Sequence, residues 1–147
     1  MAIEEIAFSE WTKWAQRYNL RTARKPGIYL LGEFEEQPEG EAQYLDQNTI
    51  LIAITYSKRK GIIGRLEEFQ QCVRSRDITP CSEGPTYAKR CENMGKNPFE
   101  DLYVAIMPVD IKETKERRTE LMETKRILLD GYQTQRGRYP AMNKKRG

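Results

Sequence analysis

The stretch "RKPGIYLLGEF", residues 24–34, decides how the rest of the chain is read. Pro26 has no backbone donor and blocks a helix arriving from upstream. The apolar run that follows, Gly27 to Leu31, reads as a short strand ended by Gly32 and a burst of acids. At this point Tyr29 has two readings. It is a strand residue packing a core, or a phenol held at a reaction centre.

Downstream, the Gly- and Pro-containing acidic stretch from Glu33 to about Asn48 is a loop. "TILIAITY" (49–56) is a second strand, apolar on both faces and therefore buried, and "SKRKG" (57–61) turns the chain. From Ile62 to about Arg74, Ile62, Ile63, Leu66, Phe69 and Val73 fall on one side of an amphipathic helix. Arg65 borders that side, about 100° from Leu66. Pro85 opens a short helix stopped by Gly95. "DLYVAIMPV" (101–109) is a third strand ended by Pro108, and a long charged helix runs from about Lys112 to Tyr132. Upstream, Ser9 caps an expected helix over about 9–20, with Trp11, Trp14, Ala15 and Tyr18 at i, i+3, i+4, i+7 spacing.

A chain of 147 residues suits one domain, read over 1–147 with its core at about 25–145. Its apolar residues are fewer than average but cluster into periodic segments, as in a soluble folded protein. No apolar run approaches the roughly 18 residues that span a bilayer. The start "MAIEEIAFSE" is acidic where a signal peptide is basic, so a cytoplasmic location is expected. Cys72, Cys81 and Cys91 match neither a disulfide framework nor zinc-site spacing and read as free thiols. The absence of histidine removes the usual neutral-pH base and the commonest transition-metal ligand, leaving Tyr, Lys, Arg and carboxylates for any chemistry.

Net charge is only +3, but it is unevenly spread. Lys13, Arg17, Arg21, Arg24 and Lys25 form one acid-free block; Lys58, Arg59, Lys60 and Arg65 form a second. Arg136, Arg138, Lys144, Lys145 and Arg146 form a third. Between the first two, residues 33–46 carry six acids. The basic blocks either converge into a phosphate-binding surface or are separate solvated elements.

In the last helix, Leu121, Lys125, Leu128 and Tyr132 define an inward stripe, flanked by Met122 and Leu129. A lysine therefore stands where the period wants an apolar side chain, while Glu123, about 200° away, faces solvent. Such an ammonium either finds acceptors inside or snorkels to water along a packed stem.

Taken in order, "KPGIYLL", "ILIAITY", "GRLEEF", "EGPTY" and "LLDGYQTQRGRYPAMN" resemble the GIY-YIG nuclease superfamily over roughly residues 25–145. The resemblance implies an α/β (α+β) domain with a small central three-stranded antiparallel sheet flanked by helices. It also implies phosphodiester cleavage by a tyrosine-activated water, with an arginine stabilising the phosphate's charge and a helix glutamate holding one divalent metal. Tyr29 and Arg65 match the first tyrosine and the arginine. Ile52 and Ile54 stand at the second triplet's tyrosine and glycine, with Tyr56 a substitute phenol. Cys81 stands where some members have histidine. The closing segment, aligned on Tyr132, Pro140 and Asn143, puts Lys125 at the metal-binding glutamate.

The expected function is accordingly nucleic-acid binding, DNA first and RNA second, by a catalytically degenerate endonuclease homologue in a regulatory or recognition role. Tyr29, Arg65 and Tyr56 would line its vestigial pocket, and Lys58, Arg59, Lys60, Lys125 and Asn143 would contact nucleic acid. No metal or cofactor is expected in that reading, since an ammonium at position 125 repels a divalent cation and can hold a phosphate itself. Two other classes stay open. One is an active, divergent endonuclease using magnesium or manganese held by Glu100, Asp101 or Glu120. The other is a protein-interaction module or inhibitor acting through the acidic 33–46 loop.

Overall fold

The computed structural model describes residues 3, 5–110 and 114–143. The expected start of the last helix at Lys112 and the basic residues Lys144, Lys145 and Arg146 lie outside them. Four strands, β1 (Thr12–Lys13), β2 (Gly27–Glu33), β3 (Thr49–Thr55) and β4 (Leu102–Pro108), form one sheet in the order β1-β4-β2-β3. Every pairing is antiparallel. Among the described residues, three α-helices, α1 (Gly61–Ser75), α2 (Glu83–Met94) and α3 (Thr114–Arg136), complete the mixed α/β architecture. Among the described residues, no helix is long and apolar enough to cross a membrane.

The fourth strand corrects the three-stranded expectation, and it comes from the segment read as the N-terminal helix. Residues 12–13 pair with β4, and two 3-10 turns, Trp14–Asn19 and Arg21–Arg24, follow. Helical spacing requires Trp11 and Trp14 to share one face. Instead Trp11 packs in the core on one side of the sheet and Trp14 in the core on the other. Two large aromatic rings gain more from two separate cores than from one amphipathic stripe, and each Trp is buried to 3% exposure. Ser9 caps no helix. Its backbone N–H donates to Ile106 O at 2.8 Å, and its hydroxyl accepts from Ile106 N–H at 2.9 Å, which continues the pairing along the β4 edge.

Strand β2 is central, and its residues are buried on both sides. Tyr29 lies opposite Ala53 on β3 and Ile106 on β4. It shares a core with Leu31, Leu51, Val104 and the apolar faces of α1 and α2, including Leu66, Phe69, Tyr87 and Ala88. Ile28, Leu30, Ile52 and Ala105 face the other core, where Leu121, Leu128 and Leu129 of α3 cover them. The α3 stripe is therefore inward at Leu121, Leu128 and Tyr132, whereas Met122, read as flanking it, is 52% exposed. Buried Thr124 joins the stripe instead, its hydroxyl bonded to Glu120 O at 2.7 Å.

Two backbone details set the position of α1. Gly61 opens the helix at φ 63°, a left-handed conformation that glycine adopts without penalty. A Cβ there would collide with the Arg24 carbonyl. Ile62 N–H also donates to Lys25 O at 2.9 Å, so the N-terminus of α1 is tied to the turn preceding β2.

Candidate functional site

Tyr29, Arg65, Cys81 and Glu83 cluster where β2, α1 and the α2 entry meet, with Lys125 of α3 within electrostatic reach of Arg65 and Glu83. Tyr29 is fully buried. Burial, the largest influence, raises its pKa well above the usual phenol range, and the Arg65 guanidinium opposes that rise only in part. At neutral pH the phenol keeps its proton.

Arg65 is anchored from several directions. Its Nη1 donates to Pro80 O at 3.0 Å and lies 3.5 Å from Glu68 Oε1, while its Nη2 lies 3.5 Å from Glu83 Oε2. Burial works against its charge, but Tyr29, Cys81, Glu83 and Glu68 outweigh this and raise its pKa. Glu68 is shared, since Lys60 Nζ lies 2.8 Å from its Oε2. A cavity of about 340 Å³ opens beside this network, lined by Ile54, Thr55, Tyr56, Ser57, Lys60, Arg65 and Glu68.

Glu83 was not among the site residues drawn from the sequence. It opens α2, where the helix dipole favours a carboxylate. Cys81 Sγ donates to its Oε2 at 2.9 Å. Burial first, and Glu83 second, push the Cys81 thiol up to about 12. The thiol is therefore a hydrogen-bond donor and not a nucleophile at neutral pH. The available signal was an acid at the first position of a helix two residues after Cys81. The sequence pattern starts the helix at Pro85 and places Glu83 in a loop, whereas α2 begins at Glu83 itself.

Lys125 is half-buried on α3, and the charges that bear on it are Glu83 and Arg65. Burial lowers its pKa, Glu83 raises it and Arg65 lowers it further. The inward ammonium thus has an acceptor within its electrostatic reach, beside a second cation.

The other sequence-derived residues are placed as follows. Tyr56 follows β3 at the mouth of the cavity, partly exposed, with the Arg118 guanidinium 4.7 Å from its ring centroid. Lys58 and Arg59 are exposed in the turn before α1, on the same turn as Lys60. Asn143 lies at the free edge of β3. Its Oδ1 accepts from Ile52 N–H at 2.9 Å and its Nδ2 donates to Ile52 O at 3.0 Å. Ile52 itself faces away from Tyr29, so a tyrosine at that position would enter the opposite core. The β3 positions on the face of Tyr29 are Leu51 and Ala53.

Part of the basic blocks is engaged within the fold, although Arg136 and Arg138 stay exposed. Arg17 is buried against Glu67, Arg136 donates to Leu45 O, and Arg138 donates to Gln47 O. In the acidic segment, Glu33 binds Arg90 at 2.6 Å and lies 3.8 Å from Lys96, while Glu35, Glu36, Glu39 and Glu41 are exposed. Of the alternative metal ligands, Asp101 pairs with Lys96 and Glu120 with Arg117. Glu100 is exposed in the turn before β4.

A divalent metal of the kind the resemblance implies needs several anionic oxygens. Among the described residues, no group of three or more acidic, cysteine or histidine side chains is arranged to supply them. Glu83 already serves Arg65 and Cys81, so this donor set does not fit such an ion. Comparisons with protein-family models, with curated proteins and with solved structures give no significant match.

Proposed function

We propose that this chain is a nucleic-acid-binding protein with a GIY-YIG-like pocket that holds a phosphate and cleaves it poorly or not at all. The observation that carries the reading is Lys125. It stands at the helix position where the resemblance expects a metal-binding carboxylate, and its ammonium feels Glu83 and Arg65. Among the described residues, the charged side chains lining the cavity are Lys60 and Arg65 against Glu68, which favours an anion. Tyr29 stays protonated and so offers no base to a water. Buried behind Arg65 and protonated, it cannot activate a nucleophile.

The test pairs binding with turnover. The protein is titrated into labelled DNA at several salt concentrations, and plasmid nicking is followed with magnesium or manganese. Salt-dependent binding that Lys125→Ala weakens, with no nicking above background, is the expected outcome. Nicking by the wild type that survives Lys125→Ala would refute the proposal, as would affinity insensitive to salt.

A further inference from the structure

A second cavity, of about 630 Å³, lies between the N-terminal 3-10 turns and α1 and is lined by Tyr18, Leu20, Arg21, Arg24 and Ile63. Ile63 and Arg65 point about 200° apart around α1. The groove and the Tyr29 cluster therefore occupy different sides of that helix.

Tyr18 is 60% exposed, yet its ring is held in place. One face rests on the Arg17 guanidinium, 4.6 Å from the ring centroid, and the hydroxyl accepts from Arg17 Nη2 at 3.2 Å. Arg17 is itself immobilised. It is 4% exposed, donates to Trp14 O at 2.9 Å, to Glu67 Oε1 at 3.0 and 2.9 Å and to Gln70 Oε1 at 2.9 Å, and lies 4.4 Å from the Trp14 ring centroid. The result is a stack of indole, guanidinium and phenol that ends at the surface.

Beside this ring, Arg21 and Arg24 are exposed, and their guanidinium groups have no hydrogen-bond or ion-pair partner among the described residues. Among the described residues no acid lines the groove, and the nearby Glu67 is already bound to Arg17. Leu20 and Ile63 supply an apolar wall.

We infer that this groove binds an unpaired nucleotide of a single-stranded nucleic acid, with the base extending the stack on Tyr18 and the adjoining phosphates held by Arg21 and Arg24. Each part matches a requirement of that ligand. A base offers a flat π-face to a fixed aromatic ring, and successive phosphates need cations beside it. In a duplex both faces of each base are already covered by neighbours, so Tyr18 favours strands whose bases are free. The inference does not depend on the Tyr29 cluster.

The test uses the full chain with fluorescein-labelled oligo-dT, the matching duplex and poly-L-glutamate. Oligo-dT should bind more tightly than the duplex. Tyr18→Ala should weaken oligo-dT binding by roughly 5- to 150-fold, while Tyr18→Phe stays within about twofold, because stacking needs the ring and not the hydroxyl. Arg21→Ala combined with Arg24→Ala should reduce the slope of log affinity against log salt by about 1.4, at roughly 0.7 per lost contact to a single strand. The side chains of these arginines make no polar contact among the described residues, so this variant tests the groove even where loss of Tyr18 disturbs Arg17. Wild-type affinity in Tyr18→Ala, or an unchanged salt slope in the arginine variant, overturns the inference. Equal binding of poly-L-glutamate with the same residue dependence also overturns it and assigns the groove to an acidic peptide. Oligo-dT binding that responds to Lys125→Ala but not to Tyr18→Ala would leave the pocket reading standing and remove this one.

Discussion

Asn143 gives the sharpest quantitative check, because its two bonds have a defined geometry and a countable consequence. Its side chain makes a bidentate pair with one residue of edge strand β3, at 2.9 Å to Ile52 N and 3.0 Å to Ile52 O. Met142 N–H continues the contact to Ile50 O at 2.8 Å. Replacing Asn143 with Ala removes both side-chain bonds. At about 0.5–1.5 kcal/mol net for each, the expected loss is about 1–3 kcal/mol. With a urea dependence of roughly 1–3 kcal/mol per molar, the midpoint should fall by on the order of 1 M at unchanged slope. Urea unfolding followed by far-UV circular dichroism measures this directly. Asn143→Asp adds a signed control. An ionised carboxylate still accepts from Ile52 N–H but repels Ile52 O, whereas a protonated one can donate to it. The folded state then favours the protonated acid, so the stability of this variant relative to wild type should improve as pH falls through the carboxyl range. A midpoint change in Asn143→Ala below about 0.3 M, together with a large loss of nucleic-acid affinity, would refute the clamp and return Asn143 to the binding surface.

Other outcomes follow from the same geometry. Lys125→Met should be at least as stable as wild type at pH 7, because the folded state disfavours the ammonium. Since the unfolded chain binds the extra proton, wild-type stability should gain on the variant as pH rises toward the ordinary lysine range of about 10.4. Tyr29 behaves with the opposite slope: its raised pKa means that the wild type should lose stability relative to Tyr29→Phe as pH climbs above about 10, read from thermal melts in alkaline buffer. The Cys81 thiol, buried and pushed up to about 12, should resist iodoacetamide at pH 8 in the native protein and react once urea is added, as counted by mass spectrometry. Gly61→Ala places a Cβ against the Arg24 carbonyl at a left-handed φ and should cost about 1–3 kcal/mol, read from the urea midpoint.

What the sequence disclosed depended on the kind of signal. The longer strands and α1 were legible because apolar runs and 3.6-residue periodicity are local properties. Lys125 was legible as an inward lysine because Leu121, Leu128 and Tyr132 define its stripe unambiguously. The segment from Trp11 to Tyr18 was misread because its spacing also fits a chain crossing the sheet edge, where the two Trp rings enter opposite cores. That choice is set by partners distant in sequence, such as Ser9 with Ile106, and no window of residues contains it. The same reversal hid the groove: helical reading puts Tyr18 inside and Arg17 outside, and the structure has them the other way round. Glu83 was missed by a shift of two residues in a helix start. Ile52, which the resemblance aligns with a second tyrosine, lies in the core opposite Tyr29, since strand alternation turns a one-residue offset into an inversion.

The chain has only two tryptophans. Trp11 sits against Phe34, in the core beneath α3, whereas Trp14 lies under Arg17 and stacks on Phe99 at 5.2 Å between ring centroids. The second indole is therefore an intrinsic fluorophore one guanidinium away from the exposed Tyr18 ring. With Trp11 replaced by Phe, occupancy of that groove could be followed in unlabelled protein through the emission of a single native side chain.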